Sequence, residues 1–218
     1  DFVEQTAGEL LFDASRDDGT LRHDAVPLRL QHAQRSAVMF AERLIDLRVE
    51  RHDLRVQLGL GQGVVVAVER RQLIAEVERL GIQRALVLST PEQRDAAEDI
   101  ARRLGSRAAG VYDRAVMHVP IESAEAARRA AADLGADGCV AIGGGSTTGL
   151  GKAIALTSSL PILAIPTTFA GSEMTPIQGI TAEGVKKTVR DVRMLPRTVI
   201  YDPNLLVSLP ARIAGPSG

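Results

Sequence analysis

A single cysteine, Cys139, is all that the 218 residues carry, so no intrachain disulfide can form and no metal cluster can be built on thiolates. A basic surplus is missing as well. Lys and Arg number 26 against 27 Asp and Glu, and the resulting net charge of -1 excludes the general electrostatic grip needed for nucleic acid or anionic lipid. Any basic patch must be local. No uninterrupted apolar stretch is long enough to span a bilayer, and no charged-then-apolar leader opens the chain. The sequence therefore reads as soluble, unexported and by default cytoplasmic. What is present is a 45% hydrophobic content, enough for a packed core in one large domain or two small ones. Cys139 lies in the apolar run Cys139-Val140-Ala141-Ile142, where a buried thiol is expected.

The character of the sequence changes near residue 72. Upstream lie three of the four histidines, His23, His32 and His52, among scattered Arg and Asp with weak apolar periodicity. Ala37 to Val49 offers a partial apolar stripe for an amphipathic helix. From Gln72 the pattern becomes regular. Leu73, Val77 and Leu80 have helical spacing, Gly81 stops the helix, and Ala85 to Leu88 reads as a strand. Thr90 and Pro91 suit the N-cap and first position of a helix running to Leu104, which Gly105 ends. Ala108 to Tyr112 and Val116 to Val119 are weaker strand signals. Ser123 to Leu134 is an alanine-rich helix closed by Gly135, and Cys139 to Ile142 is the next strand. A short helix over Gly149 to Leu156 and strands at Pro161 to Ile165 and Thr198 to Tyr201 complete the alternation. Strand–helix alternation predicts right-handed crossovers and a mostly parallel, Rossmann-like α/β sheet, with 1–71 as a segment of uncertain fold and 72–218 as the α/β domain.

Such sheets bind ligands beyond the carboxyl ends of their strands. Three loops fall there: Ser89 to Glu92, Gly143 to Thr148 and Pro166 to Thr175. The second belongs to GGGSTTGLGK, residues 143–152, directly after an apolar run. Three glycines remove the Cβ atoms that would hold a ligand away from backbone N–H groups, and Ser146, Thr147 and Thr148 add hydroxyls. Neither standard phosphate fingerprint fits. In a Walker A reading that ends on Gly151-Lys152, the opening glycine falls on Ser146 and the residue after the lysine is Ala153. In G-x-G-x-x-G the last glycine falls on Thr148. A pyrophosphate cradle and a plain tight turn both remain open on these residues alone.

Three ordered motifs carry a resemblance: GGGSTTGLGKAIAL from Gly143, PILAIPTTFAGSEMTPIQGIT from Pro161 and LPRTVIYDPNLLVSLP from Leu195, supported by ERLGIQRALVLSTPEQ from Glu78. Together they resemble the maleylacetate reductases, within the iron-containing alcohol dehydrogenase and dehydroquinate synthase-like superfamily, over about residues 72–218. The resemblance implies an N-terminal α/β cofactor domain followed by an all-helical domain, and an enzyme that reduces the carbon–carbon double bond of maleylacetate to 3-oxoadipate with NADH or NADPH in aromatic-compound breakdown. It also implies that Gly143, Gly144, Gly145 and Ser146 bind the cofactor pyrophosphate. Thr167, Thr168, Ser172 and Glu173 would line its adenosine and nicotinamide side, and Lys186 would sit near the ribose or the substrate.

Plainer readings stand beside these. Thr167-Thr168 also suits an ordinary strand-end turn. Gly171-Ser172-Glu173 suits a helix N-terminus, where the dipole favours Glu173, and Lys186, Lys187 and Arg190 suit a solvated basic face. Alcohol-oxidising relatives carry GGGSxxD, whereas this chain has Gly149 at the aspartate position, a departure toward the reductase branch. Ser89-Thr90 stands where many NAD-selective folds keep an acid for the ribose 2′-OH, so use of both NADH and NADPH is expected.

The resemblance places the metal-binding or substrate histidines in a helical domain beyond this chain. His118 is alone, and the upstream histidines are nine or more residues apart, unlike the i, i+3 or i, i+4 pairs that put two ligands on one helix face. Asp202-Pro203 reads as a turn, so no metal is expected. The expectation is the cofactor half of a reductase, with a nucleotide-binding module without catalysis as the alternative and a non-binding remnant as a third reading. Apolar surface left by the missing domain predicts a homo-oligomer.

Overall fold

Four strands consist of runs in which every residue is buried: Ala85–Leu88, Gly138–Gly143, Ile162–Pro166 and Thr198–Tyr201. A strand covered on both faces needs apolar side chains on both, which is why these runs lack the polar alternation of a half-exposed strand. The computed structural model describes residues 56–58, 64–68, 72–182 and 185–206. In chain order the elements are β1 Val56–Leu58, β2 Val64–Val68, α1 Leu73–Arg79, β3 Ala85–Leu88, α2 Arg94–Leu104, β4 Ala108–Tyr112, α3 Ile121–Asp133, β5 Gly138–Gly143, α4 Gly145–Ser158, β6 Ile162–Pro166, β7 Ile177–Ala182, β8 Val185–Arg190, β9 Thr198–Tyr201 and α5 Pro203–Leu206.

Seven strands form one sheet in the order β1-β2-β9-β6-β5-β3-β4. All its pairs are parallel except β1 with β2. The expected Rossmann-like α/β architecture is therefore present. Alternate residues of the central strands feed two cores. Val87, Val140 and Ile142 pack with Leu73 and Val77 of α1 and Ile100 of α2. Leu86, Leu88 and Ala141 pack with Ala124 and Ala127 of α3 and Leu150 of α4. Helices thus cover both faces, and each fully buried Leu or Ile contributes about 1.5–3 kcal/mol.

Most sequence-predicted boundaries hold, and Gly81, Gly105 and Gly135 end their helices at positive φ as expected. Four differences have physical causes. Val116 to Val119 is a turn rather than a strand, with His118 and Val119 at φ 65° and 42°. Thr90 and Pro91 begin a 3-10 turn, Pro91–Gln93, and α2 follows from Arg94. The helix expected over Gly149 to Leu156 is longer and opens at Gly145; tertiary packing holds glycines in a helix that propensity would have started later. The sheet also reaches upstream of Gln72, where β2 pairs with β9 from Val65 against Thr198 to Val68 against Tyr201. A short apolar run such as Val64 to Val68 has no period by which a strand can be recognised. The helix expected over Ala37 to Val49 and the upstream histidines lie outside the described residues, and none of the described helices is long and apolar enough to cross a membrane.

Candidate functional site

Strand order reverses direction at the β3–β5 pair. From β3 the chain crosses by α2 to β4 on one side, then returns by α3 to β5 on the other, and continues by α4 to β6. α2 and α4 lie on opposite faces, so a crevice opens above the carboxyl ends of β3 and β5, the place where open α/β sheets bind ligands. Gly143 ends β5 at this crevice with φ 151°, and a Cβ there would stand 2.6 Å from Oε1 of Gln93 and closer still to Thr147 Oγ1. Only glycine meets both conditions. The Thr167 N–H donates to the Gly143 carbonyl at 3.0 Å, tying β6 to the same point, and Gln93 Nε2 donates to Thr167 Oγ1 at 2.7 Å across the crevice.

Gly144 is the extended residue before α4, and α4 begins at Gly145. Its first-turn N–H groups and the positive end of its dipole therefore face outward beside the loop after β6. A Cβ on Gly144 would meet Thr168 at 3.1 Å, so the bare backbone lies close under that loop. A helix start with this charge preference, opened by glycines and bordered by the Thr168 and Ala170 side chains, has the chemistry to accept a phosphate group.

Beside this cradle lies a cleft of about 560 Å³, lined by Gly145, Ser146 and Gly149 of α4, by Ala170, Ser172 and Thr175, by Ile177, Gln178, Gly179 and Thr188 of the β7–β8 hairpin, and by Met117, His118 and Val119. At Gly149 its two sides come close, since a Cβ there would stand 2.9 Å from Val119 Cγ2. The departure from GGGSxxD thus has a steric counterpart in this chain, because the Met117–Val119 turn occupies the space a larger side chain would need.

The far wall is held from behind. Lys152 of α4 is fully buried, and its Nζ donates to the Ser172 carbonyl at 2.6 Å, the Ile177 carbonyl at 2.8 Å, and the hydroxyls of Ser172 and Thr175 at 3.2 Å each. One ammonium group therefore fixes residues 172–177 against the helix that forms the cradle. Burial pulls the Lys152 pKa down to about 7, opposed by the charge of nearby Glu173. Glu173 is 3% exposed and accepts a 2.8 Å hydrogen bond from the Tyr201 hydroxyl. Burial pushes its carboxyl pKa up, and burial together with Glu173 pushes the Tyr201 hydroxyl well above its ordinary range. The Cys139 thiol, buried in β5, is pushed up to about 12 by burial alone.

The candidate residues divide accordingly. Gly145, Ser146 and Ser172 line the cleft, while Gly143, Gly144, Thr167 and Thr168 build the edge between it and the sheet. Glu173 is not among the residues lining the cleft; it is buried and held by the Tyr201 bond beside Lys152. Ser89 differs from Thr90 in burial. It is fully buried after β3, so Thr90, which is half-buried, is the residue of that pair with surface to offer. Lys186 lies in β8 opposite Thr181, and its side chain lies outside the described residues. Gln93, Lys152 and Gln178 were not candidates. Lys152 had been weighed only as a Walker lysine, and a lysine inside an otherwise apolar helical stretch was the signal that it is buried. Among the described residues no three of His, Cys, Asp or Glu converge to hold a metal ion.

The model of the family described as iron-containing alcohol dehydrogenase matches residues 64–203. The chain is 66% identical over 148 residues to a maleylacetate reductase of Burkholderia cepacia, an alignment covering 68% of this chain and 42% of that protein. The crystal structure of a maleylacetate reductase from Agrobacterium tumefaciens superposes with a TM-score of 0.68 at 50% identity, covering 70% of this chain and 44% of the other. That of an iron-containing alcohol dehydrogenase from Corynebacterium glutamicum superposes with a TM-score of 0.65 at 44% identity, covering 68% and 42%. The chain spans about two fifths of the length of the relatives it matches. With a parallel sheet, a glycine cradle at its switch point and a family match across most of the described residues, the chain belongs to the iron-containing alcohol dehydrogenase family.

Proposed function

We propose that this chain forms the cofactor half of a maleylacetate reductase, binding NADH or NADPH across the β3–β5 crevice for the reduction of maleylacetate to 3-oxoadipate. The observation that carries the reading is the Gly143–Ser146 cradle, whose φ and close contacts admit only glycine at Gly143 and whose helix start faces a cleft large enough for half a dinucleotide. Identity above 50% to maleylacetate reductases across the same residues supports the substrate.

In this reading the N–H groups that open α4 and the Ser146 hydroxyl hold the pyrophosphate, while Thr168 and Thr90 bracket the adenosine side. Ser172, Thr175 and Gln178 border the nicotinamide side, and Lys186 lies near the ribose or the substrate. The bound dinucleotide supplies the hydride, and this chain's groups orient it and exclude water from one side. The family name carries iron, but the described residues offer no donor set for it, and no step here runs through a metal.

No carboxylate occupies the end of β3 at Ser89-Thr90, so a 2′-phosphate is not repelled there and both NADH and NADPH are accepted. Fluorescence titration with each cofactor tests this; a preference for NADH above about a hundredfold, roughly 2.7 kcal/mol, overturns dual use. Absorbance at the reduced-nicotinamide band with maleylacetate present tests the reductase itself. Turnover supports the proposal, cofactor binding without turnover identifies a nucleotide-binding module, and the absence of both removes the dinucleotide reading.

A further inference from the structure

Gln178 of β7 is the polar side chain of the cleft whose burial the cradle does not explain. It is 6% exposed, lines the cleft, and neither its Nε2 nor its Oε1 has a hydrogen-bond partner among the described residues. A buried amide left unpaired at both ends is disfavoured by the desolvation of each end, and native proteins rarely retain one without a use for it. Its surroundings do not supply partners. Nε2 lies 3.8 Å from the point where Gly149 would carry a Cβ, so the face of α4 beneath it is bare, and the Val119 side chain closes the adjoining space. The amide therefore points at a ligand-sized opening with one donor group and one acceptor to satisfy.

We propose that Gln178 recognises the ring carboxamide of the nicotinamide and so fixes which face of the ring is presented. This rests on the reading of the cleft as a dinucleotide site. The chemistry distinguishes a carboxamide from a carboxylate. A carboxylate offers acceptors only; it would satisfy Nε2 and confront Oε1 with like charge. A primary carboxamide offers a carbonyl and an amino group together, matching both ends of the glutamine in a two-bond pair. Position agrees. The cradle at Gly144 to Ser146 takes the pyrophosphate, and Gly149 lies one turn further along α4 with Gln178 of β7 beside it, within the same cleft, where one half of a dinucleotide would extend. The β7–β8 register sets Gln178 against Val189 on a paired backbone, so the reader is held on a strand and not on a free loop.

Calorimetric titration of the whole chain with three probes tests the assignment: NAD+, its 3-acetylpyridine analogue, and ADP-ribose. The analogue keeps the carbonyl but lacks the amino donors, and ADP-ribose lacks the ring. The wild-type chain is expected to bind NAD+ about tenfold more tightly than the acetyl analogue. Gln178→Met is expected to erase that discrimination, whereas Gln178→Glu, which still accepts from the carboxamide amino group but no longer donates to its carbonyl, is expected to keep it; both should leave ADP-ribose affinity unchanged, which also reports an intact fold and cradle. Retained discrimination in Gln178→Met overturns the proposal, as does a parallel loss of ADP-ribose binding in both variants, which marks Gln178 as a structural residue. Failure of the wild-type chain to bind NAD+ and ADP-ribose alike overturns the dinucleotide reading and this proposal with it. ADP-ribose binding that the variants do not alter, with no wild-type preference for the carboxamide, removes this proposal alone.

Discussion

The two walls of the cleft are built by opposite means. The cradle wall, Gly143 to Ser146, is an extension of the core. It continues β5, is bonded through Gly143 to β6, and leads into a helix buried for most of its length. The far wall, residues 172–178, buries Met174 and bonds Glu173 to Tyr201, and it is joined to the cradle helix by one buried ammonium group that reaches it from α4. Backbone geometry sets the first wall and side-chain hydrogen bonds set the second. The first should therefore fail only with the fold, and the second should loosen while the fold survives.

Gly143→Ala is the change with the largest expected effect. A Cβ there is set against Gln93 and Thr147 at a backbone angle that disfavours any side chain, and the combined overpacking and strain cost about 3 kcal/mol. Urea unfolding should show that loss together with abolished nucleotide binding. A variant of wild-type stability would show that the cradle backbone can relax, and the contrast between the walls would weaken.

Lys152→Met tests the other wall. It removes the Lys152 donor from the Ile177 carbonyl, at about 1–3 kcal/mol, and one of several donors from the Ser172 carbonyl, which keeps the Thr175 N–H and hydroxyl at 3.3 Å each, but it also removes an ammonium group whose burial is itself unfavourable, so the net cost is about 2 kcal/mol. Hydrogen exchange should accelerate across residues 172–178 and stay slow at β5. A pH signature accompanies it. The Lys152 pKa lies near 7 folded against 10.5 ordinarily, so between these values the unfolded chain binds the extra proton and this group makes stability rise with pH, by up to about 1.4 kcal/mol per unit. Glu173 has the opposite sign. Its folded pKa lies above the ordinary 4.5, so its contribution is complete below that value and is lost as pH climbs through the folded pKa. Denaturation of Lys152→Met should lack the alkaline rise; a rise that persists assigns it to another group.

Gly149→Ala probes the close approach between α4 and the Met117–Val119 turn. Alanine gains about 1 kcal/mol of helix propensity but drives a Cβ to 2.9 Å from a buried, β-branched valine, which costs about 2 kcal/mol. Overpacking wins, and a net loss near 1 kcal/mol in thermal unfolding is expected. A stabilised variant would mean that the turn yields freely.

How much of this was legible in the sequence follows the same division. The cradle could be read because its chemistry is local, with three consecutive glycines after an apolar run. Thr167 and Thr168 could be placed beside it because they follow the neighbouring strand. Lys152 and Gln178 could not, because what matters about each is a contact made 20 or more residues away: Nζ on the Ser172 and Ile177 carbonyls, and an amide laid over Gly149. The bond that holds Glu173 was hidden for the same reason, since its Tyr201 partner lies 28 residues on, in β9. The upstream strand β2 was missed because five apolar residues carry no period, and its partner is near the other end of the described chain.

The smallest expected effect lies at the entrance, where neither core packing nor the Lys152 network reaches. Glu92 is exposed on the Pro91–Gln93 turn, its carboxylate held below the usual range by its backbone N–H and then by the Thr90 hydroxyl. It lies two residues beyond Thr90, at the end of β3, and a nearby negative charge disfavours a 2′-phosphate even where the strand end itself carries none. Solvent screening keeps the effect small. Glu92→Gln should raise NADPH affinity relative to NADH by about two- to threefold in low salt, with the gain shrinking as ionic strength increases. An unchanged ratio would place the ribose 2′ position away from Thr90, and the adenosine side of the cleft would then have to be sought nearer Thr168.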